Sequence, residues 1–385
     1  MYDLLIKGGK VIDPGSGINQ ICDVAFKDGN IAAVNDHIAT ELSRSVINAE
    51  GKLVTPGLVD IHTHVYWGGT SLGVDACGVC NKSGTTTFVD AGSAGSANFQ
   101  GFRHFIAEPT PLNVFAFLNI AFAGIFGFTA EDVFGECSDL RLLNPKECLQ
   151  TAAANADMIV GIKVRVGAEA GGNSGTKPLE LARGVADQLG LPIMAHLDMP
   201  PPSLKEIMAL LQSGDILTHC FRPAPNSVMS DEGIVEDEFL MAKKRGVLFD
   251  VGHGMGSFSF AVAEKMIKLG LYPDTISSDI HHWSVNGPAH DVLHTASKFL
   301  LLGMPLEQVI SRITCAPADA IGKPGLGRLA PGCRGDAVIL EEELGEFEFF
   351  DALGQKLISE RRLRPHTIIV NGKPRNQEIC DHHIT

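Results

Sequence analysis

Positive charge is scarce in this sequence. Its 385 residues carry 31 Lys and Arg against 45 Asp and Glu, a net charge of −14. Nucleic acids and anionic membrane surfaces select basic patches, so this balance argues against both as partners. Long apolar runs are missing as well. The most apolar stretch, Val114 to Phe128, carries Asn119 and at about 15 residues is too short to span a bilayer. The 9 cysteines are scattered, and Cys77 with Cys80 makes a lone Cys-x-x-Cys rather than the paired spacing of a zinc ribbon. They read as reduced thiols in a cytoplasmic protein. The segment Met1 to Lys7 lacks the design of a signal peptide. No repeat or low-complexity segment stands out. What is present is a globular composition, 45% hydrophobic and 20% charged, long enough for a large core and a second domain.

The organising stretch runs from Val54 to His64. Pro56-Gly57 breaks the chain, and Leu58 to Ile61 reads as a short buried strand. His62 and His64 stand two apart at its C-terminal tip. A strand repeats its side-chain direction every second residue, so both imidazoles face one way and could share a divalent ion. In a chain with 14 histidines such a pair arises by chance about as often as not, so its partners decide its meaning.

Before this stretch, short strands and turns (Gly8-Gly9, Pro14-Gly15, Asp28-Gly29) fit hairpin grammar and a small β domain. After it the pattern becomes strand, loop, helix, repeated. Eight strands are expected at 58–62, 85–90, 114–119, 159–164, 192–196, 215–219, 247–251 and 275–279, with helices such as 179–189, 204–211, 236–245 and 260–269 between them. That alternation predicts an α/β protein, a (β/α)8 TIM barrel; a doubly wound open sheet is the alternative. Strand-like segments resume at 337–340, 347–351, 357–361 and 367–370. The expected division is therefore a small β-sandwich domain from both chain ends, 1–54 and 316–385, around a barrel at 55–315.

The strand tips carry the chemistry. Lys163 ends the fourth, His196 the fifth, His219 the sixth and Asp279 the eighth. A barrel gathers all strand ends on one face, where active sites of the fold lie. Arg165 shares a face with Lys163 and could clamp a substrate carboxylate, against a plain loop salt bridge. His253 and Tyr66, beside Trp67, are candidates to touch substrate, against simple packing. Two motifs are set aside. His290-Asp291-Val292-Leu293-His294 lacks the Glu of a zincin helix, and Gly252 to Gly256 opens no dinucleotide-binding unit. The tail Asp381-His382-His383 reads as a polar end rather than a site.

Together, Pro-Gly-Leu-Val-Asp-Ile-His-Thr-His, the Lys, His, His and Asp at later strand tips, and the closing Ala-Pro-Ala-Asp-Ala-Ile-Gly…Gly-Arg-Leu-Ala-Pro-Gly…Gly-Asp-Ala-Val resemble the amidohydrolase superfamily of metal-dependent hydrolases. The nearest likeness is to its dihydroorotase-like deacetylase and N-acyl-amino-acid deacylase branch, across essentially the whole chain. The resemblance implies two divalent ions, Zn²⁺ by preference, with His62, His64 and Asp279 on one and His196 and His219 on the other. It implies a carboxylated Lys163 bridging both, since an ammonium cannot ligate a cation and a carbamate can. It further implies a metal-bridging hydroxide that attacks an amide or ester carbonyl, with Asp279 as general base and then general acid. The substrate would be a small acyl compound, such as one that bears a carboxylate, and the chain a homo-oligomer. Cyclic-amide hydrolysis and base deamination are the alternatives; a mononuclear deaminase would not need Lys163.

Overall fold

A computed structural model describes residues 1–129, 132–230 and 232–375. The Asp381-His382-His383 tail lies outside them. Seven parallel strands form one sheet in chain order: Leu58–Thr63, Thr85–Gly95, Asn113–Asn119, Ile159–Val166, Ile193–Leu197, Ile216–Leu217 and Leu248–Phe249. The eighth expected strand is not a regular one. Residues 275–280 instead touch both sheet edges, through parallel bridges of Thr275 to Asp250 and of Ile280 to Thr63. Backbone bonds Val251 N to Thr275 O (3.2 Å) and His64 N to Ile280 O (2.8 Å) close the circle. The result is an α/β, TIM-like barrel.

The sixth and seventh strands pair regularly for two residues each, less than the sequence suggests. The reason is local. His219 takes a left-handed φ of 68° and Gly252 one of 48°, which turns the chain out of the sheet just past each strand. Val59, Ile61, Val89, Ala91, Phe117 and Met194 fill the barrel interior together with Ala318 and Ile321. A larger apolar layer, including Phe88, Leu118, Ile162, Val164 and Ala195, lies between strands and helices. A register irregularity between Asp60 and Thr63 changes the side-chain parity. Val59 points inward before it, and of the two residues that it spans Ile61 packs in the barrel interior while His62 joins His64 at the centre.

The chain ends share a second, mixed sheet of eight strands. Its order is Lys373–Pro374, Lys356–Val370, Ala337–Phe350, Leu53–Pro56, Leu4–Asp13, Ile18–Lys27 and Asn30–Asn35, with Val46–Asn48 also on Leu4–Asp13. Here Gly8-Gly9 makes no hairpin turn. Leu4–Asp13 is one strand with a bulge between Ile6 and Gly9, where Gly8 takes φ 70°. Likewise the four expected C-terminal strands are one long hairpin and a short edge strand. Among the described residues no helix is long and apolar enough to cross a membrane. Among the described residues Cys22, Cys80, Cys137, Cys148, Cys220, Cys315 and Cys333 are free thiols.

Candidate metal centre

The strand tips bring two groups of donors together. In the first, His62, His64 and Asp279 are all buried and each offers one ligand atom, all within 4.8 Å of one another. Nε2 of His62 and Nε2 of His64 each lie 3.2 Å from Asp279 Oδ1. In the second, His196 Nδ1 and His219 Nε2 meet at 2.6 Å with their rings nearly perpendicular. The two groups are neighbours, since the His62 and His219 rings are 5.1 Å apart. Lys163 joins them: its Nζ is 3.4 Å from His62 Nε2, and the side chain is buried. Burial pushes the imidazole of His64 down to about 4, and holds those of His62, His196 and His219 well below the ordinary histidine value. Neutral rings keep a lone pair for a cation.

Which nitrogen carries that lone pair follows from outer partners. His62 Nδ1 is 2.7 Å from Thr218 Oγ1, and Thr218 gives its only proton to Asp250 at 2.8 Å. Thr218 therefore accepts from His62, which leaves Nε2 bare. Asp250 is fixed in turn by the hydroxyls of Thr275 and Ser277. His64 Nδ1 bonds Ser93, whose hydroxyl serves Asp90. His219 Nδ1 faces the carbonyl of Gly252 at 2.7 Å, an acceptor only, so its Nε2 is bare as well. Such second partners orient metal-binding histidines. Thr218→Val keeps the shape and removes the relay. Its divalent-metal affinity, measured by chelator competition, should fall about 10–100-fold with the thermal midpoint little changed. Unaltered affinity would dismiss the relay.

Backbone strain is concentrated at the same place. His219 and Asp279 both take positive φ, 68° and 48°, which non-glycine residues rarely adopt. Asp60 anchors the second of these, accepting from Ser278 N and from His62 N. The Gly252 to Gly256 run serves close approach. A Cβ at Gly252 would stand 2.3 Å from Thr218 Oγ1, and one at Gly254 2.3 Å from Asp279 Oδ2. The donor set fits a divalent cation. Bare imidazole nitrogens turned on a carboxylate oxygen repel unless a cation lies among them.

Comparison with known proteins agrees. A model described as "Amidohydrolase family" matches residues 45–98. A protein of Brucella anthropi named "Deacetylase" is 37% identical over 353 residues, which is 90% of this chain and 86% of that one. The chain belongs to the amidohydrolase family. A deacetylase of Agrobacterium fabrum is 36% identical, covering 96% of this chain and 91% of its own length. Two crystal structures are similar throughout. One of an adenine deaminase has a TM-score of 0.89 at 32% identity, covering 98% of this chain and all of that one. One of a dihydroorotase has 0.88 at 35%, covering 97% of each. This amidohydrolase is accordingly a hydrolase of carbon–nitrogen bonds other than peptide bonds, or of carboxylic esters.

Above the donors of this amidohydrolase lies a cavity of about 400 Å³. Arg165 lines it, with Nη1 3.4 Å from Glu136 Oε2 and the guanidinium 5.7 Å from the Phe128 ring centre. His253 and Tyr66 do not line it. His253 is fully buried, paired with Lys298 Nζ at 2.7 Å and stacked on Phe258. Tyr66 gives its hydroxyl to Asn98 O and packs edge-on against Phe102. Their polar atoms are already engaged, the second His253 nitrogen by the carbonyl of the adjacent Gly254. Trp67 is half exposed. The His290 and His294 rings lie 4.5 Å apart, and Asp291 caps the helix that follows it. The cavity also takes in Asp198, Arg222 and His281, which sequence reading missed. Asp198 and His281 each stand two residues beyond a candidate ligand, the spacing that exposed Arg165. Arg222 stands three beyond His219, on a turn no pattern announces.

Proposed function

We propose that this chain is a divalent-metal-dependent deacylase that removes an acetyl or similar group from the nitrogen or oxygen of a small acid. The observation that carries this reading is the meeting of His62, His64 and Asp279 beside His196, His219 and a buried Lys163. His62, His64 and Asp279 would hold one ion and His196 and His219 a second, Zn²⁺ by preference. Lys163, as a carbamate, would serve both. Such ions supply a polarised carbonyl and a water acidic enough to attack at neutral pH. The residues do the rest. Asp279 takes the water's proton on a carboxylate oxygen and returns it to the departing nitrogen or oxygen. Arg165 holds the substrate's carboxylate, and the apolar cavity wall excludes bulk water. In this reading the sheet built from both chain ends is a small β-sandwich domain beside the barrel.

Cyclic-amide hydrolysis and base deamination are the second reading, favoured by the likeness to the dihydroorotase and adenine deaminase structures. The zinc-loaded protein should contain close to two ions per chain. It should hydrolyse N-acetyl amino acids or acetylated hydroxy acids in preference to dihydroorotate or adenine. A metal content near zero, or turnover of the cyclic amide or the base alone, would overturn the proposal.

A further inference from the structure

Away from the cavity, one buried charge has no part in the chemistry above. Lys298, on the helix Val292–Leu301, is fully buried. Among the described residues no carboxylate is ion-paired with it, and Asp351 and Asp291 act only from farther off. Its three protons meet acceptors from three parts of the chain: His253 Nε2 at 2.7 Å, Pro288 O at 2.8 Å and Phe350 O at 2.7 Å. Phe350 lies at the tip of the long terminal hairpin. That tip is docked on the barrel, with Ala352 N on Phe258 O and Phe260 N on Asp351 Oδ2, both at 3.0 Å. His253 Nδ1 stands 2.9 Å from Gly254 O, an acceptor only. Nδ1 therefore carries the ring's proton, and Nε2 is the acceptor for Lys298.

A buried ammonium is weak evidence for stability, because an apolar side chain of similar size fills the space without its desolvation cost. What its bonds do is fix one arrangement of the groups they touch. Gly252 and Gly254, on either side of His253, take left-handed φ values of 48° and 52°. Their N–H groups are held by Ser277 and Ser278. Their carbonyls are held by two imidazoles, that of Gly252 by His219 Nδ1 and that of Gly254 by His253 Nδ1. Glycine has no side chain to pin such a corner. The His253 ring is its anchor, and Lys298 fixes the ring. His219 in turn keeps Nε2 on the metal centre through the bond its Nδ1 makes to the Gly252 carbonyl.

We propose that Lys298 is a positioning residue for the metal centre: through His253 it holds the Gly252 carbonyl that orients His219, and it ties the terminal hairpin to that centre. This rests on the reading of His219 as a ligand of a second ion, and it is read from metal binding rather than turnover.

The probes are Zn²⁺ and Co²⁺, added to the metal-free, full-length protein. The wild type should take up two Zn²⁺ ions. In chelator competition Lys298→Met should weaken one of them by about tenfold or more, the low end of the loss when an outer partner of a metal-binding histidine is removed, and spare the other. The visible spectrum of the cobalt-loaded variant should change as well, because its bands follow the geometry around the ion. His253→Leu should behave alike, whereas His253→Gln, which keeps an acceptor for the ammonium, should stay near the wild type. In Lys298→Met/His253→Leu the two losses should not add, as for members of one relay. Unchanged affinities and an unchanged cobalt spectrum in Lys298→Met, whatever its thermal midpoint, would mean a purely structural tie and would overturn the proposal. So would additive losses in the double variant. Should Lys298→Met fail to fold, the His253 variants decide, and equal affinities in Leu and Gln would overturn the proposal. A wild type that binds fewer than two ions overturns it together with the two-ion reading. A wild type with two ions and indifferent variants overturns it alone.

Discussion

Asp279→Asn is expected to keep its metal and lose about 10²–10⁴-fold in kcat, the usual worth of a positioned general acid–base group. The exchange is unusually clean at this position. Asp279 sits at φ 48°, a conformation that asparagine tolerates and alanine does not. The amide carbonyl can replace Oδ1, the oxygen 3.2 Å from both His62 and His64. The nitrogen that replaces Oδ2 has no lone pair to receive a proton. Metal binding and proton transfer therefore separate in one variant. Metal content and the thermal midpoint should stay near those of the wild type while single-turnover hydrolysis slows. Turnover within a few-fold of wild type would remove Asp279 from the proton path. Loss of metal along with activity would reduce it to a ligand.

What could be read from the sequence divides along physical lines. Metal chemistry admits few residue types, and a parallel barrel delivers them at strand tips. His62, His64, Lys163, His196, His219 and Asp279 could therefore be found from composition and spacing, and the structure brings them together. The partners that aim them could not. Thr218, Ser93, Asp250 and Asp60 are common residues, and their pairing across strands shows no sequence spacing. His253 shows the opposite failure. It lies in a glycine run beside the site, but a lysine 45 residues away in a later helix takes its ring. Gly8 read as a turn and is a bulge, because a positive φ serves either and only the neighbouring strand decides. The closing segment, expected as a strand at 275–279, is present but irregular: backbone N–H groups of Val251, His253 and Gly254 reach Thr275, Ser277 and Ser278, while Ser277 and Ser278 also bond the Asp250 and Asp60 carboxylates.

If Lys163, as proposed, would serve both ions, Lys163→Ala should cut the bound metal from near two ions to one or fewer and lower kcat/KM by at least about 10³-fold. Lys163 is 1% exposed, and among the described residues no carboxylate makes an ion pair with it. A bare ammonium 3.4 Å from His62 Nε2 would oppose a cation there. Burial draws Lys163 down to about 8, and it is the neutral amine that adds carbon dioxide, forming an N–C bond and releasing one proton. The space around the side chain is defined, since a Cβ at Gly92 would stand 2.6 Å from Lys163 Cγ. Truncation should leave a polar slot at the end of a strand, Ile159–Val166, that other pairings still hold. Acetate or propionate can enter such a slot and present the missing carboxylate. Either acid should restore metal and part of the activity to Lys163→Ala, and do nothing for the wild type. Mass spectrometry of the intact wild type should show one added carbon dioxide that mild acid removes. Full metal and full activity in Lys163→Ala would exclude Lys163 from the centre. Failure of both acids to rescue, with an unmodified wild-type mass, would exclude the carbamate.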